Sequence, residues 1–315
     1  MKNKPEFVAF SNVTVGVADM DVAYALWVDA FGMDVVLDRK GPDHGIAALW
    51  GISPDEISRQ LLLNTNGSRY GMLHLVEFKN PKDPVRLNAE VFDLVPKNLD
   101  IYVRDMPERI AELAAAGHTF RNEKYSEATA PDGTKFREMH MPSHDSINVV
   151  LLEVMGTEKP LSDKGYGAIG PLIYIVPDAS VEKAFLSSIF EFDKLNDNLL
   201  SGPEIEKMVG LPPGAGLDVS IWGRHEQPLG ELEIVDYQGV EGSDLFPAAV
   251  PPATGILHVS FRLDSVDSLL LRLREANISF EQHDRVETLL GNGRVIVFNS
   301  PAGLRVEVHE VAELP

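Results

Sequence analysis

The chain contains no cysteine in its 315 residues. That excludes disulfides and thiolate metal sites, and by itself says little about compartment. Basic residues are scarce as well: 28 Lys and Arg stand against 48 Asp and Glu, a formal net charge of −20. Such a balance opposes binding to nucleic acid and to anionic membranes. The charges are dispersed, so they read as solubilising rather than as an acidic tail. No apolar run approaches the length of a membrane span, and the opening MKNKPEFVAF lacks the apolar core of a signal peptide. The expectation is a cytoplasmic protein. No Walker loop, dinucleotide fingerprint or Ser-His-Asp pattern stands out.

What is present is repetition, clearest in residues 255–311. Leu257, Val259 and Phe261 alternate with His258, Ser260 and Arg262, as in a strand with two distinct faces. Ser265 precedes a helical apolar pattern through Val266, Leu269, Leu270 and Leu273. Strands follow near 278–281 and 294–298. The turn Pro301-Ala302-Gly303 leads into a last strand, 304–309, where Glu307 alternates with Val306 and Val308. A His on the first strand and a Glu on the last can share one concave face.

Three earlier stretches, 6–78, 95–155 and 168–238, read as divergent copies. FSNVTVGVADMD parallels ILHVSFRLDSVD, placing Asn12 where His258 stands. Strands are expected at 35–38, 46–50, 60–64 and 72–78, and SPDEIS at 53–58 reads as a capped helical turn. In the second copy Asn98 takes the His258 position, PDG at 131–133 is a turn, and 148–154 is the last strand. In the third, Pro171 takes that position, SGPEIEKMVGLP mirrors SPDEIS, and Glu233 in GELEIVDY matches Glu307. The copies also fall into two halves. A spacing of 159 residues separates Asn12 from Pro171, His74 from Glu233 and Phe31 from Phe190, and 160 separates Asn98 from His258. The fold class expected is α+β, in tandem βαβββ units, with an N-terminal domain over 1–155, a linker over 156–167 and a C-terminal domain over 168–315.

The segments NVTVGVAD, LDIYVRD, LIYIVPD, LHVSFRLDSVD and SPAGLRVEV, in this order, resemble the vicinal oxygen chelate superfamily. That group includes glyoxalase I, extradiol ring-cleaving dioxygenases and bleomycin-resistance proteins. The resemblance implies paired βαβββ units, each pair forming a half-open barrel, with metal ligands on the first and last strands of both paired units. Carried over position by position, the C-terminal half offers Pro171, Glu233, His258 and Glu307. Glu233, His258 and Glu307 are then the candidate ligands of a divalent metal, Fe2+, Mn2+, Ni2+ or Zn2+, with proline unable to serve. The N-terminal half offers Asn12, His74, Asn98 and Val150, with Glu153 the competing fourth residue if the last strand slips in register, and Asn12, His74 and Asn98 are candidate substrate-binding residues. A metal with open positions grips neighbouring substrate oxygens, and Glu307 or Glu233 could act as general base.

The activity implied is isomerase or lyase chemistry on a small organic substrate through a metal-bound enolate. Extradiol ring cleavage and metal-free small-molecule binding are the alternatives. A homodimer is compatible with all three. The histidines of EMHMPSHDS (His140, His144) with Asp145 read as a polar loop, with a metal cluster as the alternative. Trp27, Trp50 and Trp222 read as core.

Overall fold

In a computed structural model describing residues 6–129, 133–156 and 159–311, the four repeats fold as four βαβββ units. The first comprises β1 (Asn12–Val17), α1 (Met20–Tyr24, continued by a π-helical turn Ala25–Ala30), β2 (Asp34–Lys40), α2 (His44–Trp50), β3 (Ile57–Asn64) and β4 (Met72–Phe78). A short β5 (Lys82–Pro84) follows. The second has β6 (Pro96–Val103), α3 (Met106–Ala115), β7 (Ser126–Thr129), β8 (Lys135–Pro142) and β9 (Asn148–Val154). The third has β10 (Tyr166–Ile175), α4 (Ala179–Ile189), β11 (Asp193–Ser201), α5 (Pro203–Val209), β12 (Gly216–Arg224) and β13 (Gln227–Gln238). The fourth has β14 (Ala253–Leu263), α6 (Asp267–Glu275), β15 (Phe280–Thr288), β16 (Gly291–Asn299) and β17 (Arg305–Glu310).

Local chemistry explains the element boundaries. Asp19 caps α1 by accepting from the Asp21 and Val22 amides, and Asp178 caps α4 through Ser180 and Val181 in the same way. Ser53 caps the short helical turn Pro54–Glu56, as expected. The expected strand at 46–50 is instead helix α2. Asp43 accepts from the Ile46 amide at its start, and Gly51 closes it in the left-handed region at φ 66°. This helix and α5 occupy the same place in units one and three. Of the expected turn at 131–133, Pro131 and Asp132 lie outside the described residues.

The pairing of units departs from the expectation. Strand β1 pairs antiparallel with β14, and β6 pairs antiparallel with β10. Units one and four share a nine-stranded sheet in the order β15-β16-β17-β14-β1-β4-β3-β2, with β5 beside β14. Units two and three share an eight-stranded sheet, β11-β12-β13-β10-β6-β9-β8-β7. Each expected domain thus gives one unit to each sheet.

Close backbone approaches accompany this choice. A Cβ on Gly16 would lie 2.1 Å from the Ala253 carbonyl within the nine-stranded sheet, and one on Gly71 2.1 Å from that of Ile169, where the two sheets meet. The crossovers 79–95 and 239–252 run side by side, with the Leu94 amide on Ser243 O (2.9 Å) and the Leu245 amide on Leu94 O (3.0 Å). The expected linker joins β9 to β10 within one sheet rather than separating two domains, and β10 begins inside it at Tyr166. Ser162 Oγ donates to Phe31 O at 2.7 Å, and Lys164 Nζ donates to Asp29 O.

One apolar cluster spans both sheets. Phe7 meets Phe190 edge-on at 4.9 Å and Phe261 at 5.5 Å, while Phe190 stacks on Phe261 at 4.7 Å. Each such pair adds about 0.5–1.5 kcal/mol beyond its buried area. Among the described residues no helix is long and apolar enough to cross a membrane.

Candidate functional site

The concave face of the nine-stranded sheet gathers the polar residues that the strand alternation turns inward. In register, Thr14 lies beside His74 on one flank and opposite His258 on the other, and Ser260 lies beside Glu307. His74 therefore stands to β1 as Glu307 stands to β14. Asn12, His74, His258 and Glu307 all line one cavity, which encloses about 310 Å³ of unfilled space including its mouth. Ile46, Leu49 and Trp50 of α2 roof it from one side, and Leu289 and Leu290, in the β15–β16 turn, from the other.

Glu307 is the hub. Trp50 Nε1 donates to its Oε1 at 3.0 Å, and Arg305 donates to the same oxygen at 3.0 Å. Its Oε2 lies 3.5 Å from His258 Nε2 and 3.5 Å from His309 Nε2. Burial opposes charge on this carboxyl, yet His258, His309 and Arg305 together hold it below the usual carboxylate range. Burial lowers the His258 pKa to about 4 and that of His74 to about 3. Both imidazoles are neutral at neutral pH, with a lone pair to offer.

A hydrogen-bond chain sets the orientation of His74. Gln60 Nε2 donates to Asp43 Oδ2 (3.0 Å), so Gln60 Oε1 accepts from His74 Nε2 (3.0 Å). His74 Nδ1 is then the lone-pair nitrogen, accepting from Thr14 Oγ1 at 3.2 Å. Asp43 also caps α2, so the roof and the histidine share an anchor.

Two polar atoms in the cavity wall are buried without a partner: Asn12 Oδ1 and His258 Nδ1. Leaving such atoms unpaired costs about 1–3 kcal/mol each. Among the described residues no three His, Asp or Glu side chains already stand together as a coordination set. The donor types nonetheless fit a divalent cation: a carboxylate, two neutral imidazoles and an amide oxygen, two of these groups having an unpaired buried atom. His74 would exchange its Thr14 hydrogen bond for the ion.

The other expected residues lie elsewhere. Glu233 (β13) and Asn98 (β6) belong to the eight-stranded sheet, so Glu233 does not join His258 and Glu307. The grouping of Glu233, His258 and Glu307 fails because it assumed pairing within each half. Burial, followed by Glu138 and Glu231, raises the Glu233 pKa to about 8. Asn98 Oδ1 accepts from Asn148 Nδ2 at 2.9 Å. The EMHMPSHDS cluster divides: His140 bonds Glu138 and Asn148 in the second sheet, while His144 accepts from Trp27 Nε1 at 2.8 Å. Trp27 and Trp222 are core residues, as expected, whereas Trp50 lines the cavity. Sequence reasoning missed His309, although its two-residue offset from Glu307 on one strand was a usable signal.

No family model and no curated protein matches the chain by sequence. Solved structures do match in shape. Glyoxalase I from Zea mays superposes with TM-score 0.66 at 13% identity, over 96% of this chain and 92% of that one. A protein named as a dioxygenase, from Bacillus subtilis, superposes with TM-score 0.62 at 12% identity, over 97% and 86%. Two curled sheets of paired βαβββ units, matched along nearly the whole chain, give this protein the vicinal oxygen chelate fold.

Proposed function

We propose that this protein is a metal-dependent enzyme acting on a small organic substrate with neighbouring oxygens, in the bowl formed by units one and four. The observation that carries this reading is the convergence of His74, His258 and Glu307 on one cavity, with the unpartnered Asn12 Oδ1 beside them. These residues would hold Fe2+, Mn2+, Ni2+ or Zn2+. Such an ion would grip two adjacent substrate oxygens and neutralise charge building on them.

The chain's own groups support proton transfer. Trp50 and Arg305 occupy Glu307 Oε1, so Oε2 is the oxygen that would hold the ion or, once released from it, take a proton from the substrate. His309 Nε2, 3.5 Å away, can pass that proton on. Apolar side chains of α2 and of the β15–β16 turn line the cavity on two sides and limit its contact with water. This arrangement suits isomerase or lyase chemistry. The presence of His74 favours a second reading, ring-cleaving dioxygenation, because two imidazoles and one carboxylate form the donor set of non-haem iron oxygenases.

Metal analysis after reconstitution with each ion tests the proposal. Wild type is expected to retain one ion per chain, and His74→Ala, His258→Ala and Glu307→Ala to lose it, while Glu233→Ala keeps it. Wild type that retains none of the four ions overturns the reading. Oxygen uptake with catechols, against anaerobic solvent-deuterium exchange beside a substrate carbonyl, separates the two reactions.

A further inference from the structure

One rim of the same bowl holds two arginines with no ion-pair partner among the described residues. Arg262 lies two residues beyond Ser260 on β14, on the face that carries His258 and Ser260 into the cavity. It is half-buried, and its Nη1 is fully enclosed without a hydrogen-bond partner. Arg69 lines an adjoining cleft of about 180 Å³ together with Leu62 and Met72. Leu62 also lines the cavity, and Met72 is the register partner of Asn12, so the cleft adjoins the cavity along β3 and β4. Burial lowers the Arg262 pKa and the nearby Arg69 charge lowers it further, outweighing the opposing pull of Tyr70 and of the exposed Asp264. No ion pair at either arginine is found among the described residues, in a chain whose acids outnumber its bases by 20 charges.

Two like charges held together, one partly desolvated, are unfavourable unless an anion joins them. We propose that Arg69 and Arg262 form an anion subsite, and that the substrate carries a carboxylate or phosphate group at the end remote from its neighbouring oxygens. Guanidinium forks match both groups in bidentate geometry. The Arg262 row lies two residues beyond the row of Ser260 and Glu307, roughly 7 Å along the strands. A substrate of a few bonds spans that distance. The substrate class rests on the reading of the cavity as the reacting site, whereas the anion subsite stands without it.

Calorimetric titration of the full-length protein at low ionic strength, with inorganic phosphate and with malonate, tests the subsite. Wild type is expected to bind at least one of them saturably, at one site per chain. Arg262→Gln and Arg69→Gln should each weaken binding about tenfold or more. Arg285→Gln, an exposed arginine elsewhere, should leave it unchanged. The tighter probe identifies a phosphoryl or a carboxylate group. Should Arg262→Gln fail to fold, judged by its thermal transition, the surface-loop variant Arg69→Gln carries the test alone. The probes need neither a bound cation nor turnover, and Glu307→Gln should not weaken them, so loss of the metal reading leaves this result standing. Absence of saturable binding to both anions, or unchanged binding in the arginine variants, overturns the proposal.

Discussion

Glu233 and Glu307 occupy matching positions on β13 and β17, and their surroundings drive them to opposite charge states. Glu307 sits among His258, His309 and Arg305 and is held ionised. Glu233 is buried near Glu138 and Glu231, and its pKa rises from 4.5 to about 8. Between those values the folded protein keeps a proton that the unfolded chain has released, so this residue makes stability fall as pH rises from about 4.5 to about 8. For Glu233→Gln, the melting temperature relative to wild type should climb across that window and level off above it. A difference independent of pH would refute the assignment. A second residue-scale expectation concerns Trp27, whose bond to His144 ties unit one to the loop before β9. Trp27→Phe should lose about 1 kcal/mol or more by urea unfolding. That both glutamates lie on last strands was legible from alternation. Their different charge states were not, because neighbours distant in sequence set them.

At the scale of elements, α2 decides whether the bowl is an open groove or a roofed cavity. Its segment GIAALW is a short apolar run, which periodicity cannot assign between strand and helix. The Asp43 cap and the left-handed Gly51 settle it as helix. The helix reaches the β15–β16 hairpin so closely that a Cβ on Gly45 would lie 1.9 Å from Glu287 O. Gly45→Ala is therefore expected to destabilise the protein by about 1–3 kcal/mol. It should also shift Trp50 emission to the red as the roof lifts. Unchanged emission together with unchanged stability would show that the hairpin is not a fixed roof. The helical insertion before β12, in contrast, was visible as SGPEIEKMVGLP, where proline begins the helix and glycine ends it.

For the whole molecule, the exchange of units between sheets makes the two halves interdependent. Residues 1–155 contain β1 and β6, whose antiparallel partners β14 and β10 lie in the other half. Expressed separately, 1–155 and 168–315 should each lack a cooperative thermal transition, because each exposes two unpaired strand edges. Coexpressed, they should copurify and recover the transition. Two separately stable halves with sharp transitions would contradict this organisation.

Four units, the order of their strands and helices apart from α2, the alternation that sets His258 and Glu307 opposite their apolar neighbours, and the unfitness of Pro171 as a ligand were all legible in the chain alone. These follow from alternation, caps and turns, which are local. Which units pair was settled in three dimensions, and that pairing brought His74 to His258 and Glu307 and removed Glu233. Four similar first strands carry the same alternation, so the pattern alone allows several pairings. The choice rests on contacts between residues far apart in the chain, such as Gly16 with Ala253 in one sheet and Leu99 with Leu172 in the other.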